Sequence, residues 1–144
     1  MPLESTEHRA LINQGAAYIR HIYSDLRLLS TDSFAPLGTG RMLPLLQHQP
    51  DIVAELMDGR TIIGEAKTDK DILKTHSKEQ YKEFISYLSQ QCPQGVFMLF
   101  CSWRVATSAH DWLRNFLRRH SEIDVTWKVV SDVDIRRKLN GSTH

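Results

Sequence analysis

Residues 49–67 read QPDIVAELMDGRTIIGEAK, and the fold turns on how this stretch is parsed. Two apolar runs, Asp51 to Met57 and Thr61 to Lys67, flank Asp58-Gly59-Arg60, and Asp-Gly between such runs signals a tight β-hairpin. Sheet interiors usually exclude acids, yet Asp51, Glu65 and Lys67 stand inside these segments. Strand side chains alternate between faces, so Ile63, Glu65 and Lys67 share one side while Ile62, Gly64 and Ala66 share the other. Counting outward from the turn pairs residue 57 with 60 or 61 and sets Asp51 opposite 66 or 67. The hairpin is therefore expected to gather two carboxylates and an ammonium at one edge of a sheet. Glu55 lies on the nominal face of Asp51, either as a supporting acid or as a solvated one.

Helical periodicity appears on both sides of the hairpin. Over residues 4–23, Leu11, Ile12, Ala16, Ile19 and Tyr23 recur three and four apart, Ser5 or Thr6 is placed to cap, and Gly15 weakens the pattern. Residues 30–50, with Pro36, Pro44 and Pro50, read as a loop. A further strand falls either at Leu26 to Leu29 or around Arg41 to Gln47. Ser77-Lys78-Glu79-Gln80 has the form of a capping box opening a second helix, whose stripe is Tyr81, Phe84, Ile85 and Leu88. Cys92-Pro93-Gln94-Gly95 stops it. Val96 to Cys101 is an unbroken apolar run, as expected of a central strand covered on both faces. A third helix is expected from about Ser108 to His120, a strand at Val125 to Val130 and a last helix at Asp132 to Leu139. This order predicts one α/β domain over residues 1–144, a mixed central sheet flanked by helices on both faces.

Composition limits the function classes. Eighteen basic against 17 acidic side chains leave a formal charge of +1, so no global field attracts nucleic acid and any such surface must come from local patterning. Cys92 and Cys101 are too few for a disulfide framework or a zinc site, and Cys101 reads as a small buried hydrophobe. Met1 to Arg9 does not resemble a signal peptide, and no apolar run approaches the roughly 20 residues that span a bilayer, so a cytoplasmic setting is expected. There is no phosphate-binding Gly-x-x-x-x-Gly-Lys loop and no nucleophile elbow. None of the seven histidines shows ligand spacing; His48 and His76 are the two worth testing.

The three polar residues of the hairpin suit a hard divalent cation. Mg²⁺ prefers oxygen ligands and is commonly held by one or two carboxylates plus waters or substrate phosphate. Asp51 and Glu65 supply the carboxylates, the Ala66 carbonyl is a further oxygen donor, and Lys67 is placed to orient water or offset charge. The bland reading of the same residues is a surface ion pair at a sheet edge.

Pro50-Asp51, 13 intervening residues, then Glu65-Ala66-Lys67 resembles the PD-(D/E)XK nuclease superfamily, near its Holliday-junction-resolvase-like and VRR-NUC-like branches. The resemblance covers about residues 4–102 and implies a restriction-endonuclease-like fold with Mg²⁺- or Mn²⁺-dependent hydrolysis of DNA phosphodiesters. It implies metal binding by Asp51 and Glu65 and assistance to the attacking water by Lys67. An acid of the first helix, Glu4 or Glu7, is implied to complete the site. Gln80 with Phe84 is similar to a Gln-x-x-x-Tyr element, with Phe at the tyrosine position, and gives Gln80 a catalytic role alongside its capping one. Cutting both strands is simplest from a homodimer or a larger nuclease complex. The competing reading is a non-catalytic module of the same fold that binds nucleic acid or a protein. Lys70, Lys74, Lys78 and Lys82, four apart, are candidate phosphate contacts, as are Arg114, Arg118 and Arg119; solvated helix faces explain both groups equally. Trp103, Trp112 and Trp127 read as core or interface residues rather than base-stacking platforms.

Overall fold

A computed structural model of the chain describes residues 5–31 and 46–141. Glu4 and most of the alternative strand at Arg41 to Gln47 lie outside them. The elements are α1 (Thr6–Ile22), β1 (Leu26–Ser30), β2 (Ile52–Leu56), β3 (Thr61–Ala66), α2 (Thr75–Gln91), β4 (Val96–Cys101), α3 (Trp103–Arg118), β5 (Thr126–Ser131) and α4 (Asp132–Gly141). The α/β architecture is as expected, and among the described residues the additional strand is the one at Leu26.

The five strands stand in the order β1-β2-β3-β4-β5. The β1–β2 and β2–β3 pairs are antiparallel, and β3–β4 and β4–β5 are parallel, so the sheet is mixed. Each parallel pair needs a crossover helix. Two right-handed crossovers advancing in the same direction must lie on the same face, which is where α2 and α3 pack. Tyr81, Phe84, Leu88, Leu113 and Phe116 there meet Ile63, Phe97 and Leu99. On the other face α1 and α4 bring Ile12, Ile19 and Ile135 against Ile52, Ile62, Met98 and Phe100. The strands supply alternate residues to the two layers, and β4, an interior strand covered on both sides, is buried at every position.

The β2–β3 hairpin differs from the count made from the sequence. Leu56 N–H donates to the Arg60 carbonyl at 2.9 Å, which leaves Met57-Asp58-Gly59 as a three-residue loop with Gly59 at φ +94°. The ladder then pairs Ile52 with Gly64 and Ala54 with Ile62. Carried one residue further, this register sets Asp51 opposite Glu65 rather than 66 or 67.

Two helices begin earlier than the sequence indicates. Ser77 is buried inside the first turn of α2, which starts at Thr75 after Lys74 and has no side-chain cap, so the Ser77–Gln80 capping box does not form. Helix α3 starts at Trp103, where the Ser102 hydroxyl caps it by accepting from Arg104 N–H at 3.0 Å. The expected start at Ser108 followed the apolar stripe, which exposed Trp103 interrupts.

Candidate metal and phosphodiester site

Asp51 ends the loop entering β2, and Glu65 is the second-last residue of β3, so both reach the same end of the sheet. Their backbones and side chains interlock. Glu65 Oε1 accepts from Asp51 N–H at 3.1 Å, and Asp51 Oδ2 accepts from Ala66 N–H at 2.9 Å. These bonds continue the hairpin past its last ladder pair and fix both carboxyl groups.

Glu65 is 2% exposed. Burial pushes its carboxyl well above the usual range and the nearby Asp51 charge pushes it further, while Lys67 pulls it down without compensating. Lys67 Nζ lies 3.6 Å from Glu65 Oε2 and donates to Gln80 Oε1. Gln80 sits on the second turn of α2 and therefore holds the lysine amine rather than capping the helix. The Lys67 backbone is fixed as well, since its N–H donates to the Phe100 carbonyl of β4 at 3.0 Å.

The first helix contributes a residue that sequence reading passed over. His8 Nε2 is 3.2 Å from Asp51 Oδ2. The Ser5 side chain caps α1 by accepting from His8 N–H at 3.0 Å, so the histidine projects from the first turn, where the helix dipole favours an anionic neighbour. Forty-three positions separate His8 from Asp51 and no local pattern links them. The only signal was the capped helix start that also carries Glu7.

A cleft of about 660 Å³ opens beside this cluster, lined by Ser5, Glu7, His8, Lys67, Thr68, Asp69, Lys70 and Asp71. Glu7 therefore reaches the cleft wall. Of the four lysines proposed as phosphate contacts, Lys70 alone lines it. Lys74 pairs with Asp71 at 3.1 Å, and Lys78 and Lys82 lie 5.8 and 5.9 Å from the ring centroids of Trp112 and Phe116 on α3. The four do not form one stripe. Arg114 pairs with Asp111 at 3.1 Å on the outer face of α3. Glu55 pairs with Arg27 at the β1–β2 edge, away from the other acids.

His48 and His76 come together, with ring centroids 5.3 Å apart. Glu83 of α2 accepts from His48 N–H at 3.1 Å and from Gln47 N–H at 2.7 Å, and its Oε1 lies 2.8 Å from His48 Nδ1. This cluster ties the segment leading into Asp51 to α2. Cys101 is fully buried, which pushes its thiol up to about 12 and leaves it a packing residue.

Among the described residues no group of three or more His, Cys, Asp and Glu side chains is arranged as a ready metal cage. The donor set at the end of the hairpin is two carboxylates, a number that Mg²⁺ completes with water and substrate oxygens. Burial and the neighbouring Asp51 disfavour the charged form of Glu65, and a bound cation would offset both effects, so the two carboxyl groups suit a hard divalent ion as oxygen donors. Among the described residues no helix is long and apolar enough to cross a membrane. The chain matches no family model, no curated protein and no solved structure.

Proposed function

We propose that this chain is a Mg²⁺- or Mn²⁺-dependent deoxyribonuclease, an endonuclease by preference, on a restriction-endonuclease-like version of the mixed sheet. The observation that carries the reading is the convergence of Asp51, Glu65 and Lys67 at the open end of β3, beside a cleft whose wall Lys67 also lines. Asp51 and Glu65 would hold the ion. The Ala66 carbonyl leaves its strand on the same side as the Ala66 N–H that bonds Asp51, which makes it the third oxygen donor. When bound, the ion polarises a phosphoryl oxygen and acidifies water.

The chain's own residues do the rest. Lys67, held by Gln80 and the β4 backbone, presents an ammonium to the attacking water and to the charge that grows on the phosphoryl group. His8 keeps Asp51 oriented from the side of α1. Lys70 on the cleft wall offers a positive charge to a flanking phosphate. Cutting both strands of a duplex is simplest from two such sites, in a homodimer or in a larger complex that presents the DNA.

A second reading draws on the same hydrogen bonds. Each carboxylate accepts a backbone N–H across the hairpin, so the pair also serves to close the ends of β2 and β3 in a non-catalytic binding module. Gel assays separate the two. Of supercoiled, linear, single-stranded and branched DNA incubated with the chain and Mn²⁺, at least one is expected to be cut, with cutting abolished by EDTA and by Asp51→Ala. Absence of cutting on every substrate would leave only the binding module.

A further inference from the structure

Resting on the nuclease reading, we infer that Trp103 and Arg104 form a stacking ledge for an unpaired nucleobase at the rim of the carboxylate cleft, so that the substrate carries single-stranded character beside the cut. Trp103 is 58% exposed, an uncommon state for the largest side chain. Of the two expected places for the tryptophans, core or interface, exposure excludes the core for this one. Trp112 stacks on Phe116 with centroids 5.4 Å apart and Trp127 packs against His110 at 4.8 Å, whereas the Trp103 indole is not part of either core layer.

The Trp103 backbone is nevertheless held firmly. Its N–H donates to Asp132 Oδ1 at 2.9 Å, and the next N–H, of Arg104, donates to the Ser102 hydroxyl. The fold thus anchors the base of the side chain and leaves the ring outside. The Arg104 guanidinium lies 5.6 Å from the ring centroid, and its Nη1 is 3.7 Å from Asp69 Oδ2. Asp69 lines the cleft together with Lys67 and His8, so the ledge touches the cleft wall through the Arg104–Asp69 ion pair. It also stands at the carboxyl ends of the parallel strands, two residues beyond the last residue of β4, where α/β sheets take their ligands.

The pairing of ring and guanidinium selects the occupant. An exposed indole offers a π-face to any base, and the adjacent cation suits the phosphate attached to that base. Bases within a duplex already stack on one another and present no free face, so the ledge discriminates by strandedness rather than by sequence. A protein partner would need a wider apolar surround than one ring provides.

Binding measured without catalysis tests this. Fluorescence anisotropy of labelled oligodeoxythymidylate and of a labelled hairpin duplex, in EDTA, is compared for the unaltered chain, Trp103→Phe, Trp103→Ala and Arg104→Gln. Trp103→Ala is expected to weaken single-strand binding about tenfold with little change for the duplex, and Trp103→Phe to retain most of it. Arg104→Gln is expected to lower the salt dependence of binding. Tryptophan emission is expected to be quenched by the single strand in the unaltered chain and hardly at all in Trp103→Phe. Equal single-strand affinity for all four proteins, or equal losses on both DNAs, would overturn the ledge. A chain that binds neither DNA would contradict the nuclease reading together with it. Trp103-dependent binding without Mn²⁺-dependent cutting would keep the ledge and remove the nuclease.

Discussion

Glu65 carries an electrostatic burden because it is buried, lies beside another acid and is only partly offset by Lys67. Its folded-state pKa is raised, so the carboxyl contributes no penalty below its unfolded value and an increasing one as pH rises toward the folded value. Glu65→Gln is therefore expected to raise the melting temperature in EDTA by a few degrees, corresponding to about 1 kcal/mol, with a gain that grows from pH 4 to pH 8. The same substitution is expected to remove the thermal shift produced by Mn²⁺. A melting temperature lowered at every pH would mean that Glu65 is a stabilising ion-pair partner instead. Lys67→Met separates binding from chemistry. Cleavage is expected to fall by about 10²–10³-fold with Mn²⁺ affinity largely kept, read by single-turnover rates and titration side by side. The alternation that puts Glu65 and Lys67 on one face was legible in the sequence, since strand period leaves no choice. Which residue of the facing strand meets them was not, because Asp-Gly does not fix where the loop starts, and loops starting at Met57 or at Asp58 both fit Met57-Asp58-Gly59-Arg60. His8 was illegible for a related reason, since contacts between elements leave no spacing to read.

The helices set these residues in place, and α1 does so through a glycine. A Cβ at Gly15 would fall 2.7 Å from Phe100 Cδ2, in the fully buried ring of the β4 residue whose carbonyl holds Lys67. Helix propensity alone favours alanine there by about 1 kcal/mol. The close approach reverses that preference, and Gly15→Ala is expected to destabilise the chain by about 1–3 kcal/mol in urea denaturation. The weak point of the α1 pattern in the sequence is thus a point of close contact with the sheet. On the opposite face, α2 restrains the segment before Asp51. Burial raises the Glu83 carboxyl, and the N–H groups of Gln47 and His48 together with the His48 ring outweigh that and hold it below the usual range. A depressed folded pKa means that the restraint is complete above the ordinary carboxylate range and is lost as pH falls through the folded value. Glu83→Gln is expected to lower amide exchange protection at Gln47 and His48 at neutral pH, as acidification does in the unaltered chain; unchanged protection would show that the clamp is not what orders this segment. The capping-box pattern misled at α2 because Ser77 is a buried first-turn residue, and the 68–74 segment already winds, with Thr68 O accepting from Asp71 and Ile72.

Across the whole molecule, the antiparallel half of the sheet brings in the acids and the parallel half frames the cleft. Two crossovers on one face leave the other to α1 and α4, so the N-terminal turn of α1 reaches the end of the hairpin, while Trp103 follows the carboxyl end of β4. The class of the fold was readable from element order and from the buried run at Val96 to Cys101, whose lack of alternation already required two covering layers. The rim was not readable, because an exposed tryptophan has the same letter as a buried one. The central claim is that the hairpin end binds a divalent ion through Asp51 and Glu65. Calorimetric titration of the unaltered chain and of Asp51→Ala with Mn²⁺ tests it most directly. The account predicts saturable binding to the unaltered chain and loss of that binding on substitution; no binding to the unaltered chain, or identical binding to both, would contradict it.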